Sequence, residues 1–197
     1  MLTFAAAVFF LIVTPGPGVL STAGVGSAFG LRPGLRYVAG LCIGTNLVAL
    51  AVITGIAAVI FAHPAIRLVL LAASTGYLLY LAYRIATAGA NVAFTAAARP
   101  LGLRDGLALQ AINPKAYAVN TTLFSGFSFL PDAAVAEAVL KLLIMNAIWV
   151  PIHIGWLLAG IWLHRLALAP EVQRRINIAM AASLLAVVAL ALFSLRG

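Results

Sequence analysis

Apolar residues run through this chain in long blocks, and short polar interruptions divide it. About 20 apolar residues cross the hydrocarbon core of a bilayer, within a range of roughly 17–25. On that ruler the pattern predicts six membrane-spanning helices. The first runs from about Leu2 to Phe29, followed by a turn at Arg32, Pro33, Gly34 and Arg36. The second, about Tyr37 to Phe61, ends at His63-Pro64, a tight connection to the third, about Ala65 to Thr87. Residues 88–104 form the longest polar segment. The fourth span covers about Asp105 to Leu130 and stops at Pro131-Asp132; the fifth runs from about Ala134 to Leu163 and the sixth from about Arg175 to Leu195. No linker or low-complexity tract interrupts the series, so a single transmembrane domain over 1–197 is expected.

Composition agrees with that division. The 197 residues are 64% hydrophobic and 8% charged, against roughly 25% charged in soluble domains. The net charge of +8 is spread over cations lying between apolar spans, with no basic stripe interleaved with aromatics, so nucleic acid is not an expected partner. Cys42 is the only cysteine, which excludes an internal disulfide and a cysteine redox pair. No Lys or Arg precedes Arg32, so the charged start of a cleavable signal is missing and Met1 onward is expected to be mature protein.

Two interruptions fall inside spans. Thr14-Pro15-Gly16-Pro17-Gly18 breaks the first, and each proline removes a donor and frees the carbonyl four residues earlier, those of Leu11 and Val13. Backbone broken at membrane depth is tolerated only against protein or a wet cavity. The fourth span carries Gln110-Ala111-Ile112-Asn113-Pro114-Lys115, where Pro114 frees the carbonyl of Gln110. Pro15 and Pro114 stand 99 residues apart, so Val13-Thr14-Pro15 aligns with Ile112-Asn113-Pro114. Three spans per half force two such halves to enter the membrane in opposite senses. The expected fold class is all-α: a polytopic membrane protein of six transmembrane helices as two inverted three-helix repeats, about 1–87 and 105–197, with helices 1 and 4 broken. Paired interrupted helices in inverted halves are the best sequence pointer to a transporter's substrate site.

Lys115 sharpens that pointer. A lysine at the centre of a span costs about 2.5–3.5 kcal/mol on insertion scales, and Asp105, Asp132, Glu137 and Glu171 all read as interfacial. With no fixed carboxylate at its depth, a ligand carboxylate or a solvated cavity is the expected partner. Thr45, Asn46, Asn113, Asn120, Asn146 and His153 are further polar residues within spans. His153 alone among them titrates near neutral pH when unperturbed, which makes Lys115 and His153 the candidate proton-coupling groups. Gly26/Gly30 and Gly40/Gly44 have the spacing of close helix packing. Trp162 fits an interfacial belt, and Trp149 and Trp156 fit packing positions.

Cations orient the bundle, because cytoplasmic loops carry excess Lys and Arg. Loops after spans one, three and five hold Arg32, Arg36, Arg84, Arg99, Arg104, Arg165, Arg174 and Arg175, against Arg67, Lys141 and Arg196 on the other side. Eight against three puts the first set inside and both termini outside.

The Thr14-Pro15-Gly16-Pro17 break, the Gly40 and Gly44 pair, Tyr77-Leu78-Leu79-Tyr80-Leu81, Asn113-Pro114-Lys115-Ala116 and the Phe129-Leu130-Pro131 exit resemble the LysE/RhtB amino-acid exporter family. The resemblance covers the whole chain. It implies a bacterial inner-membrane secondary transporter that exports amino acids or their derivatives, driven by the proton gradient. Gly18 stands where members often carry Asn or Asp, and Thr45-Asn46 where many carry an acidic residue.

Other classes fit less well. Redox carriers of six-span type need paired membrane cysteines, and metal export needs soft ligands that Cys42 alone does not supply. A passive small-solute channel built from paired half-helices stays open as an alternative. The expected site is a zwitterion clamp. Lys115 and the amides near Gly16 and Gly18 take the substrate carboxylate, because helix N-termini favour anions. Carbonyls released by Pro15, Pro17 and Pro114, with Asn113, Asn46 and the Thr14 segment, take the α-ammonium. No enzyme activity, metal or cofactor is expected. The expected partners are an amino-acid substrate and membrane lipid, with a homodimer compatible with the pattern.

Overall fold

The computed structural model describes residues 1–86 and 100–166, and beyond them residues 169, 171–172, 174–176, 178–179, 181–182 and 185–186. Residues 87–99 and most of the expected sixth span, with Arg99 and Arg196, lie outside the described residues. Among the described residues every regular element is a helix: α1 (Leu2–Val13), α2 (Pro17–Phe29), α3 (Leu31–Ile53), α4 (Ile56–Ala62), α5 (Pro64–Ala86), α6 (Leu103–Ile112), α7 (Pro114–Ser125) and α8 (Ala134–Arg165). Two of them, Leu31–Ile53 and Ala134–Leu163, are each long and apolar enough to cross a membrane. The pair α1 and α2, bent by 54°, adds a third if it is one broken span.

Several boundaries differ from the expected ones. The turn expected at Arg32–Arg36 lies inside α3, and the chain turns instead at Gly30, which has φ 76°. Pro33 sits in the first turn of α3, where its missing N–H is one that no carbonyl would have received. Gly30 is therefore a turn residue and not half of a packing pair. The second span is divided at Thr54-Gly55, where Gly55 also has φ 76°, a conformation open to glycine for want of a Cβ. The fourth ends at Ser125 and not Leu130, while α8 runs unbroken through Pro151.

α8 packs along α2, α6 packs along α3, and α3 also touches α2, α7 and α8. Phe4, Val8, Tyr37, Leu41, Leu109, Leu123, Met145 and Leu157 are buried between them. Leu2, Phe10, Val59, Leu68, Leu143 and Trp162 are exposed, while Gln110, Asn113, Asn120, Glu137, Lys141 and His153 are buried. An apolar exterior around a partly polar interior suits a lipid surround, where polar groups face the bundle interior. The helices meet where glycine allows it. A Cβ at Gly40 would lie 2.8 Å from the Leu103 carbonyl carbon, and one at Gly106 would lie 2.8 Å from the Leu41 nitrogen.

The buried pair Glu137–Lys141 ties the end of α7 to the start of α8. Their charged atoms are 2.7 Å apart at i,i+4 spacing, with the acid N-terminal, the favoured order on a helix. Glu137 Oε2 also accepts the backbone N–H groups of Phe129 (2.9 Å) and Leu130 (2.5 Å). Lys141 Nζ donates to the carbonyls of Phe124 (3.3 Å) and Phe127. Both residues are buried and paired within the bundle, a packing role that the sequence did not single out. Lys141→Met is expected to lower the melting temperature of the detergent-solubilised protein by several degrees, because it strands a buried carboxylate. Adding Glu137→Gln should recover part of the loss; an unchanged melting temperature in the single variant would show that the pair does not hold the turn.

Candidate functional site

The two breaks are built alike. α1 ends at Thr14, whose hydroxyl donates to the Phe10 carbonyl at 2.6 Å. Extended Gly16 then precedes Pro17, the first residue of α2. On the other side Asn113 precedes Pro114, the first residue of α7, and its Oδ1 accepts the Lys115 N–H at 3.1 Å. Proline at a helix start loses an N–H that would have had no intrahelical partner. Pro17 and Pro114 thus begin new half-helices and do not kink continuous ones. The Gln110 carbonyl is not free either, since the Asn113 N–H closes a turn onto it at 3.3 Å.

Lys115 crosses from one break to the other. Its Nζ donates to the Thr14 carbonyl at 2.5 Å across 101 residues of sequence. Gly16 makes room: a Cβ there would lie 2.8 Å from Lys115 Cδ and 3.1 Å from Nζ. The ammonium has three donors, so one bond to a carbonyl leaves it capacity for an anion. Near it, the amides of Gly18 and Val19 open α2, whose first intrahelical bond is Leu20 N to Gly16 O at 3.0 Å. First-turn amides lack a carbonyl in their own helix and carry the positive end of its dipole.

These groups line one cavity, together with Thr45, Gln110, Asn120, Met145, Trp149 and His153. Its free volume is about 50 Å³, room for a few waters at roughly 10–15 Å³ each. None of its described lining residues is an acid. His153 is buried and stacked on Trp149, with ring centroids 3.5 Å apart. His153 Nδ1 lies 3.0 Å from the Trp149 carbonyl, an acceptor, so in the neutral ring Nδ1 carries the proton. Nε2 lies on the Gly18 side, where a Cβ would be 3.4 Å away.

Residues 9–195, taking in both breaks, match the family model of the LysE type translocator. The chain belongs to the LysE-type translocator family. It is also similar to the cysteine/O-acetylserine efflux proteins of Salmonella choleraesuis (strain SC-B67) and Salmonella typhimurium (strain LT2), at 31% identity over 150 residues, 75% of this chain and 75% of each relative. No solved structure matches significantly. As a LysE-type translocator this is a membrane transport protein.

Within this translocator the cavity brings together Thr14, Gly16, Gly18, Asn113, Lys115 and His153. Pro15, Pro17 and Pro114 are not among its lining residues; Pro17 and Pro114 begin the half-helices beside it. Asn46 lies elsewhere. It exchanges two hydrogen bonds with Asn146, Nδ2 to Oδ1 at 2.9 Å and 2.8 Å in return, beside the Cys42 thiol at 3.5 Å from Asn146. The neighbouring Thr45 faces the cavity instead, because successive helix positions are turned about 100° apart. Asn113 is occupied as well: besides capping α7, its Nδ2 donates to Gln110 Oε1 at 2.9 Å. Gln110, Asn120, Met145 and Trp149 were not among the expected site residues. Asn120 had a readable signal, seven residues after Asn113 and four after Ala116, on one face of α7.

Proposed function

We propose that this translocator exports small neutral amino acids or their derivatives across the bacterial inner membrane as a proton-coupled secondary transporter. One observation carries the reading: a single ammonium, Lys115, bridges the joints of two broken helices in a cavity whose described lining holds no acid. A zwitterion supplies the carboxylate such a site lacks. Lys115 and the first-turn amides of α2 take that carboxylate. With no fixed acid to hold a second cation, a neutral side chain fits better than a dibasic one. The named cargo of the Salmonella relatives, cysteine and O-acetylserine, is of that class.

Passage of a substrate past the Lys115–Thr14 bridge requires the α1–α2 joint to part from Lys115. Rocking of the halves 1–87 and 105–197 supplies that motion. The Asn46–Asn146 pair supports such an arrangement. Its members stand 100 residues apart, one more than Pro15 and Pro114, and near-equivalent positions that bond reciprocally lie close to the axis relating two halves. His153, stacked on Trp149 and facing Gly18, is the proton carrier of this reading, with Lys115 the second titrating group. The excess of cations in the loops after spans one, three and five supports termini that lie outside.

Counterflow tests the proposal. Liposomes holding the purified protein and unlabelled L-cysteine under reducing conditions should accumulate labelled L-cysteine transiently, and an imposed proton gradient should raise the flux. Equilibration without trans-stimulation would instead indicate a passive pore.

A further inference from the structure

Asn120 is 1% exposed, and its Oδ1 is the one buried side-chain oxygen or nitrogen without a hydrogen-bond partner among the described residues. Its Nδ2 donates to the Ala116 carbonyl at 2.7 Å. That bond fixes the orientation of the amide, since the flipped form would set two acceptors against each other. Asn120 lines the cavity with Lys115 and His153, and its oxygen has no donor there from the protein. A packing role does not account for it. Asn46 and Asn146, which do tie helices together, each have both amide atoms bonded.

We infer that Asn120 Oδ1 is the acceptor for the substrate's α-ammonium, which restricts the site to carboxylates carrying a free primary amine. This rests on the exporter reading of the same cavity and deepens it. A bound ammonium needs acceptors, and several of those expected for it already hold donors. The Thr14 carbonyl holds Lys115 Nζ, the Gln110 carbonyl holds the Asn113 N–H, Asn113 Oδ1 holds the Lys115 N–H, and Asn46 Oδ1 holds Asn146. Asn120 is five residues beyond Lys115 on α7, about 7.5 Å further along the axis. The carboxylate then lies between the Lys115 cation and the substrate's own ammonium, keeping the like charges apart.

The test is competition against labelled L-cysteine counterflow, using L-alanine, propionate and N-acetyl-L-alanine. Wild type should favour L-alanine over both amine-blocked or amine-free acids by at least about tenfold, as a site with a committed acceptor does. In Asn120→Leu that ratio should fall toward one, while Asn120→Asp, which keeps the acceptor, should retain the preference. If Asn120→Leu does not fold, equal competition by propionate in wild type still overturns the assignment, and loss of the preference in Asn120→Asp does so as well. A preference that survives in folded Asn120→Leu overturns it too, leaving the exporter reading intact. If wild type exchanges no amino acid at all, the exporter reading falls, and this assignment with it.

Discussion

Lys115→Met is expected to cut export severely while the protein still inserts and folds. Methionine keeps most of the apolar stem that lies against Gly16, so the packing between the two breaks survives. The Thr14 carbonyl that loses its donor belongs to an exposed residue, which a wet cavity can solvate. What disappears is the only lysine or arginine among the residues lining the cavity. A hydrogen bond to a charged group is worth about 1.5–3 kcal/mol, and each ~1.4 kcal/mol is a factor of ten. Affinity for the substrate carboxylate should therefore fall by roughly ten- to a hundredfold or more. The measurement is efflux from loaded cells or liposomes, normalised to folded protein. Export at the wild-type rate from a normally inserted Lys115→Met protein would remove the clamp from the mechanism.

Gly106→Leu is expected to eliminate folded protein altogether. A Cβ at Gly106 falls against backbone of α3, 2.8 Å from the Leu41 nitrogen and 3.2 Å from the Gly40 carbonyl carbon. A backbone neighbour cannot change rotamer to relieve the clash. Forcing extra atoms into a packed interface costs about 1–3 kcal/mol in ordinary cores, and here the cost falls on one of the two closest helix pairs, α3 with α6. In lipid, such packing has no water-driven term to compensate for its loss. Gly106→Ala should lower yield and melting temperature in the same direction but less. Gly155→Ala on α8 is the control, because a Cβ there meets nothing within 4 Å. Size-exclusion chromatography of detergent extracts reads all three; a monodisperse Gly106→Leu peak of wild-type yield would contradict the close approach.

Much of the site could be read along the chain because its chemistry is unusual there. Proline and glycine inside an apolar run, and a lysine without a nearby acid, stand out whatever surrounds them. What was misread depended on partners. Lys141 counted only as an outer-side cation, and nothing along the chain showed Glu137 and two carbonyls closing around it. Asn46 looked like a cavity residue until Asn146, 100 residues away, bonded both ends of its amide. Pro33 looked like a turn because its position in the first turn of α3 depends on where the helix begins. Asn120 was merely one polar residue among several, and its importance comes from which neighbours leave its oxygen unpaired.

By itself, the sequence determined that this is an apolar helical membrane protein with breaks at Thr14–Gly18 and Asn113–Pro114 and a lysine beside the second. Those features follow from local covalent facts: a missing amide hydrogen, a missing Cβ, a charge that hydrocarbon does not solvate. Tertiary structure decided which donor meets which acceptor. Lys115 reaches Thr14 across 101 residues, and Thr45 rather than Asn46 turns to the cavity. The reason is rotational. A helix position faces whatever its neighbours' packing presents, and one residue's offset turns a side chain by about 100°.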